Sequence, residues 1–116
     1  MPIIILHGMA GPLMSPAHAF QVEAEFKIFN DLLDNGVRDN SFISDKSVTA
    51  VPATKTEYGY NKFVTLDPNH EVLIETYLIN DLSHSWSGGT AGMSYNDPKG
   101  PDATKFILEF FVRHGL

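Results

Sequence analysis

The run Val72–Ile79 constrains the fold of this chain more than any other segment. It is apolar at nearly every position and rich in β-branched and aromatic side chains. That composition is typical of a strand whose two faces are both covered, as in parallel sheets with helices on either side. The run therefore predicts an α/β fold with mostly parallel strands and packed helices.

A histidine follows this strand after a short polar turn. The segment Asp81–Gly89 sets His84 between the strand and a small-residue turn that also contains Trp86. In α/β sheets, functional residues are commonly located in the loops at the carboxyl ends of parallel strands. An imidazole can transfer protons near neutral pH. Spacing alone favours an ordinary loop histidine over a catalytic one. Trp86 either walls a substrate cleft or anchors the loop.

Composition limits the classes of function. A chain of 116 residues with 43% hydrophobic content suits one globular domain, and its apolar stretches are too short to cross a bilayer. A net charge of −6 without a basic run argues against nucleic acid and anionic membranes as partners. The chain has no cysteine, and Met1–Leu6 does not resemble a signal peptide. Neither feature assigns the protein to a cellular compartment.

The amino-terminal third predicts a strand and a helix. Ile3–Leu6 is a short apolar run closed by His7-Gly8, typical of a buried parallel strand, so we expect the chain to begin in the middle of a sheet whose preceding part is missing or supplied by another molecule. Ser15 and Pro16 favour a helix start and Asn35-Gly36 its end. The helix should pack on the sheet through an apolar stripe at helical spacing: Val22, Phe26, Phe29 and Leu33.

The remaining segments are predicted to have structural roles. Val37–Asp45 is a polar surface connection, and the short strands Lys46–Val51 and Tyr58–Val64 could form a hairpin. Tyr58 and Tyr60 suit cross-strand packing better than a pocket lining. Asp102 can cap a final helix that turns apolar side chains toward the sheet. No histidine spacing typical of a zinc site occurs, and no cofactor is predicted. The apolar residues of the final helix are Phe106, Ile107, Phe110 and Phe111.

The segment from Ser83 to Gly89, followed by Gly92, Tyr95, Asp97–Ala103 and a Phe-rich helix, resembles the C-terminal end of the polyhydroxybutyrate-depolymerase-like esterases. In that α/β-hydrolase family a Gly-His-x-Trp-Ser-Gly-Gly stretch carries the triad histidine. The resemblance implies a single partial domain, residues 1–116, corresponding to the C-terminal half of an α/β-hydrolase sheet. It also implies a catalytic role for His84. Ser83 departs from the usual glycine.

A second landmark of the family lies after the first strand. The turn that begins at His7-Gly8 resembles a His-Gly-x-x-Asp motif in which the aspartate is the triad acid and orients the histidine. The matching position here is Gly11, which has no carboxylate. The orienting role is either lost or taken by another acid, and Glu23 and Glu25 are the nearest in sequence. We interpret His7 as a structural residue of the turn.

The nucleophile of such an esterase is missing from the sequence. No Gly-x-Ser-x-Gly elbow occurs, and each serine near the motifs lacks that context: Ser15, Ser83, Ser85, Ser87 and Ser94. The leading hypothesis is a carboxylic ester hydrolase fragment of the polyhydroxybutyrate depolymerase or feruloyl esterase type, inactive alone, that supplies the triad histidine. The alternative is a non-catalytic association module or truncated pseudoenzyme. Either predicts a homodimer or a complementary chain as partner. Members of the resembling family are often secreted.

Overall fold

The computed structural model describes residues 1–11, 15–44 and 48–115. Within these ranges the chain forms two helices, a main sheet and a small two-stranded sheet. The strands are β1 (Ile3–Gly8), β2 (Ile43–Ser44), β3 (Thr49–Val51), β4 (Tyr60–Leu66), β5 (Val72–Ile79), β6 (Trp86–Ser87) and β7 (Asn96–Asp97). The helices are α1 (Ala17–Asn35) and α2 (Ala103–Arg113).

The main sheet is mixed and mostly antiparallel. Its strands follow the order β1-β5-β4, and β2 and β3 share the outer position by pairing with different parts of β4. Among the described strands of this sheet, β1 and β5 form the one parallel pair, and the other pairings are antiparallel. The α/β class is as predicted. The prediction of a mostly parallel α/β-hydrolase sheet is wrong.

A tight turn explains why β4 and β5 run in opposite directions. The Asp67 carboxylate accepts hydrogen bonds from the backbone N–H groups of Asn69 and Glu71, at 2.8 and 3.0 Å. The Asp67 N–H also donates to the carbonyl of Glu71 at 2.8 Å. A connection this short joins only antiparallel neighbours, since a parallel crossover needs a dozen or more residues. The two longest strands of the sheet are therefore a hairpin.

One helix covers each face of the sheet. On one face, Phe20 of α1 packs edge-to-face on Phe63 of β4, with ring centroids 5.4 Å apart. On the other face, Phe106 of α2 stacks on Tyr77 of β5 at 4.7 Å, and Phe110 is fully buried. The sheet is thus the middle of three layers. Central strand β5 is buried from Ile74 to Ile79, which accounts for its continuous apolar composition.

The helix ends and strand β5 agree closely with the sequence. α1 begins at Ala17, whose N–H donates to Ser15 Oγ at 3.3 Å, and ends where Gly36 adopts a φ of 76°. Asp102 caps α2 by accepting a hydrogen bond from the Lys105 N–H at 3.1 Å. β5 has the predicted bounds. Neither helix within the described residues is long and apolar enough to cross a bilayer.

The predicted packing of the α1 stripe on the sheet is wrong for three of its four residues. Val22 is exposed, Phe29 is 45% exposed and Leu33 is 60% exposed, whereas Phe26 is half-buried. The residues of α1 that are buried against the rest of the chain are small or polar: Ala19, Asn30 and Asp31. The apolar stripe therefore exists, but most of its side chains are exposed instead of packing on the sheet.

The hairpin predicted between residues 46 and 64 is confirmed for its described part, because β3 pairs antiparallel with β4. Lys46 and Ser47 lie outside the described residues, as does Asp45. The connection Val37–Asp45, predicted without a strand, contains β2. Tyr60 packs against Tyr77 and Phe106, as its predicted cross-strand role implies.

A buried carboxylate joins α2 to the sheet. Glu75 of β5 is 2% exposed and accepts a hydrogen bond from Arg113 Nη2 at 2.6 Å. Lys62 Nζ lies 3.3 Å from the same carboxylate, and the Tyr77 hydroxyl donates to it at 2.8 Å. Burial, and then the hydrogen bond to Glu75, raise the pKa of Tyr77 above its ordinary value. The charge of Glu75 is thus compensated on three sides.

Replacing Glu75 by alanine should destabilise the fold strongly, because it leaves two cations and a tyrosine hydroxyl without their acceptor. We expect Glu75→Ala to lower the free energy of unfolding by about 3 kcal/mol. The matched control is Glu109→Ala, which removes a carboxylate that is 53% exposed and lies 4.0 Å from Lys105 Nζ. This control should cost less than about 1 kcal/mol. Urea unfolding of both variants measures the difference, and equal losses would contradict the role of Glu75.

Candidate functional site

A cavity lies at the end of the sheet where β1 and β5 both finish. Its volume is about 590 Å³. Its walls come from the end of β1 and the residues after it, from the loop that follows β5, and from Tyr95. Both sequence-predicted site residues, His84 and Trp86, line it. A cavity of this size can hold a small organic ligand.

Gly8 brings the two walls of the cavity together. A Cβ at Gly8 would lie 2.3 Å from the carbonyl oxygen of Leu82 and 2.5 Å from that of Ser83. Two backbone hydrogen bonds hold the contact, from Met9 N–H to the Ile79 carbonyl and from Ala10 N–H to the Leu82 carbonyl, both 2.9 Å. Only glycine allows so close an approach. The conformation of the His84 loop therefore depends on the last residue of β1.

His84 is exposed, and its ring meets that of Tyr95 edge-to-face, with centroids 6.3 Å apart. The backbone on either side is held by a hydrogen bond from Ser85 N–H to the Ser83 carbonyl at 2.8 Å. Ser83 Oγ and Ser85 Oγ lie 3.3 Å apart and share a hydrogen bond. No described residue hydrogen-bonds to the His84 ring. Both ring nitrogens are thus available to groups that enter the cavity.

Tyr95 lines the cavity, although no sequence pattern assigns it a role of its own. It adopts a φ of 56°, and its carbonyl accepts a hydrogen bond from Trp86 N–H at 2.7 Å. This bond extends the short parallel pairing of β6 with β7 and sets Trp86 beside the cavity mouth. In the sequence, Tyr95 is notable only as part of the family resemblance. Its contact with His84 depends on how the loop between these two residues folds.

Two parts of the motif, Ser87–Gly89 and Gly100–Asp102, have a structural role. Buried Ser87 donates its hydroxyl hydrogen to the carbonyl of Pro101 at 2.6 Å. A Cβ at Gly100 would lie 2.2 Å from Ser87 Oγ, and one at Gly88 would lie 2.8 Å from the Cα of Asp102. The two segments therefore pack backbone to backbone. This packing fixes the loop after His84 onto the start of α2.

Tyr58 ties the hairpin to the same loop. Its hydroxyl donates to Asp97 Oδ2 at 3.0 Å, and its N–H donates to the carbonyl of Lys99 at 2.7 Å. The hydrogen bond to Asp97, and then burial, raise the pKa of Tyr58. Neither Tyr58 nor Tyr60 lines the cavity. Tyr58 thus supports the loop from outside the cavity, whereas Tyr60 packs on Tyr77 and Phe106.

Gly11 lies against the His84 loop. A Cβ there would be 3.5 Å from the Cα of Ser83 and 3.7 Å from the backbone nitrogen of His84, which are ordinary contact distances. The φ of Gly11 is 115°, a conformation that side-chain-bearing residues rarely adopt. The position that matches the acid of the resembling family is thus next to His84, but it carries no carboxylate.

No other acid takes its place among the described residues that line the cavity. The Glu23 carboxylate accepts hydrogen bonds from Thr65 and Thr76 in the middle of the sheet, at 3.4 and 3.1 Å. Glu25 is exposed on α1. His7 reaches the cavity wall, and its Nε2 is buried with no partner among the described residues. The part of the chain that the structure describes has no group of three or more side chains able to share a metal ion.

No protein-family model matches the chain, and no curated protein matches it significantly.

The close approach at Gly8 predicts a severe effect of the smallest substitution. Gly8→Ala should lower the free energy of unfolding by about 3 kcal/mol, because the new methyl group meets two backbone carbonyls that cannot move independently. Gly92→Ala is the control, since nothing lies within 4 Å of a Cβ there and its φ of 80° is the source of strain. The control should cost about 1 kcal/mol. Thermal unfolding compares the two, and a Gly8 variant as stable as the control would rule out the contact.

Proposed function

We propose that this chain supplies the histidine of a serine ester hydrolase site, similar to those of polyhydroxybutyrate depolymerases and feruloyl or acetyl-xylan esterases. The observation that carries the proposal is the position of His84. Its ring is exposed in a cavity at the carboxyl ends of two parallel strands and hydrogen-bonds to no described residue. The contact between Gly11 and the His84 loop adds support, because the family's acid would occupy that position.

In this proposal His84 moves one proton back and forth. Its unprotonated ring nitrogen takes the proton of a serine hydroxyl as the serine oxygen bonds to the ester carbonyl carbon. The imidazolium then gives that proton to the alcohol oxygen as the carbon–oxygen bond of the ester breaks. A water molecule repeats the cycle and releases the acid. Trp86 and Tyr95 wall the cavity in which the ester would lie.

The serine has to come from outside the cavity as described. Ser83 and Ser85 line it, but they flank His84 on one short loop and hydrogen-bond to each other. Neither lies on the strand-to-helix elbow that exposes a nucleophile and supplies oxyanion-binding N–H groups. The proposed active site therefore forms only with a second, nucleophile-bearing part.

The first test is an assay of the purified chain alone with a chromogenic short-chain ester. We expect no turnover above that of the buffer, since a histidine without a nucleophile leaves hydrolysis to water. Turnover that disappears in His84→Ala would contradict the need for an outside serine. Turnover that this substitution leaves unchanged would remove His84 from the mechanism.

The second test joins the chain to the upstream part of an intact polyhydroxybutyrate-depolymerase-like esterase, in place of that enzyme's own C-terminal part. We expect weak ester hydrolysis that His84→Ala abolishes. Gly11→Asp should give a kcat on the order of tenfold or more above that of Gly11→Asn, which carries the same backbone strain, because a carboxylate there can orient the imidazole and stabilise its charged form. Gly11→Asn is the matched control, with nearly the same shape and no charge. An equal effect of both substitutions would refute the orienting role of position 11.

The second candidate is a module that associates without catalysing. It is favoured by the same glycine at position 11 and by the apolar residues that α1 leaves exposed. On this alternative the fusion protein would fold but hydrolyse no ester, with or without Gly11→Asp. The two candidates thus differ in an activity that one assay measures.

A further inference from the structure

One buried nitrogen sets His7 apart within the described chain. Its Nε2 atom is buried and has no hydrogen-bond partner among the described residues. Buried polar groups in folded proteins are nearly always paired, because an unpaired one has lost its hydrogen bonds to water without replacement. An exception of this kind lowers the stability of the fold, so its persistence at one position calls for a physical reason.

Other buried polar side chains of the sheet and its loops are satisfied. The Thr76 hydroxyl donates a hydrogen bond to the Glu23 carboxylate at 3.1 Å. The carboxylate of Glu75 has three partners, and the Ser87 hydroxyl donates to a backbone carbonyl at 2.6 Å. The fold therefore pairs polar groups even in the middle of the sheet, and the unpaired nitrogen of His7 departs from this rule.

The position of His7 links the unpaired nitrogen to the cavity. His7 is the residue before Gly8 at the end of β1, and it lines the cavity of about 590 Å³ together with His84. The residue as a whole is half-buried, although its Nε2 is shielded from water. The unpaired nitrogen therefore belongs to a residue of the cavity wall, where a bound molecule can supply the missing partner.

The lining of the cavity indicates which kind of molecule it suits. The described residues that line it include no Asp, Glu, Lys or Arg. Its polar side chains are hydroxyls and imidazoles, and a neutral imidazole donates through one nitrogen and accepts through the other. The aromatic rings of Trp86 and Tyr95 also line it. Such a lining suits an uncharged molecule with a hydrogen-bonding oxygen, because a fixed charge would meet no opposite charge there.

We infer, on the basis of the proposed function, that His7 binds the carbonyl group of the ester in the cavity. In the bound state the imidazole turns about its Cβ–Cγ bond, and its Nε2–H donates a hydrogen bond to the carbonyl oxygen. This oxygen becomes negative when a nucleophile adds to the carbonyl carbon, so a donor beside it stabilises the transition state more than the substrate. His7 thus acts on the carbonyl oxygen, whereas His84 carries the proton.

A role in ligand binding and a role in filling the wall predict different combinations of stability and affinity. His7→Phe keeps an aromatic ring and removes the unpaired nitrogen, so the melting temperature should stay the same or rise. If His7 only fills the wall, affinity for a ligand should also persist. If His7 binds the ligand, affinity should fall while stability does not, since functional groups are often retained at a cost in stability.

The test uses the chain in full with acetanilide, an uncharged amide that has nearly the shape of phenyl acetate and resists hydrolysis. Binding is followed by NMR of the imidazole nitrogens. We expect the signals of His7 and His84 to shift saturably. Those of His70 should not move, because its turn joins β4 to the start of β5, at the opposite end of that strand.

Two variants of His7 form a matched pair. His7→Phe should weaken the binding of acetanilide about fivefold, which is the typical effect of one neutral hydrogen bond. His7→Gln should keep most of the affinity, because its amide N–H can replace the Nε2–H donor. Unchanged affinity of His7→Phe, unmoved His7 signals at saturation or the absence of saturable binding would overturn the inference. If His7→Phe does not fold, the signals of the unaltered chain decide.

The fusion with the upstream part of an esterase separates this inference from the proposed function. In an active fusion, His7→Phe should lower kcat/KM about fivefold or more, and His7→Gln should restore most of it. Binding of acetanilide that depends on His7, together with an inactive fusion, would keep the ligand-binding residue and remove the esterase. An active fusion whose kcat/KM is unaffected by His7→Phe would keep the esterase and overturn the role of His7.

Discussion

The parallel pairing of β1 with β5 is the constraint on which the site depends. The two strands end together, with Gly8 beside Ile79, so the segments that follow leave the sheet at the same end. Two backbone hydrogen bonds continue the contact past the strands, and the missing side chain of Gly8 lets the carbonyls of Leu82 and Ser83 approach. The cavity, the position of His84 and the contact at Gly11 all follow from this pairing. The antiparallel part of the sheet supports it from one side.

Local features of the fold were readable from the sequence, and strand direction was not. The bounds of β5, the glycine end of α1 and the Asp102 cap depend on residues close in sequence. A central strand has the same apolar composition whether its neighbours run parallel or antiparallel, because burial of both faces sets that composition. The hydrogen bonds of the Asp67 turn decided the direction of β4. β2 is two residues long in a polar stretch, too short to leave a pattern.

The α1 stripe shows a related limit. The spacing of Val22, Phe29 and Leu33 correctly indicated an apolar side of a helix, but periodicity does not say which surface that side meets. The helix turns Ala19, Glu23 and Asn30 to the sheet, and Glu23 reaches two threonines there. The Glu23 carboxylate, which the sheet satisfies, thus lies on the side of α1 where the apolar stripe was expected. The sequence motif correctly indicated that His84 and Trp86 lie at the cavity. The contacts of Tyr95 and Gly11 with the His84 loop could be identified only from the folded structure.

Position 11 carries the main chemical question about the site. Its φ of 115° is accessible to glycine and costly for an aspartate, so the backbone conformation of this turn suits the glycine that occupies it. Among the described residues, no carboxylate holds one tautomer of the His84 ring, which meets Tyr95 edge-to-face. An imidazole can accept a proton, but no acid among the described residues that line the cavity would compensate the charge of the protonated ring. Compensation of a charge on this ring would therefore depend on groups outside the described lining of the cavity.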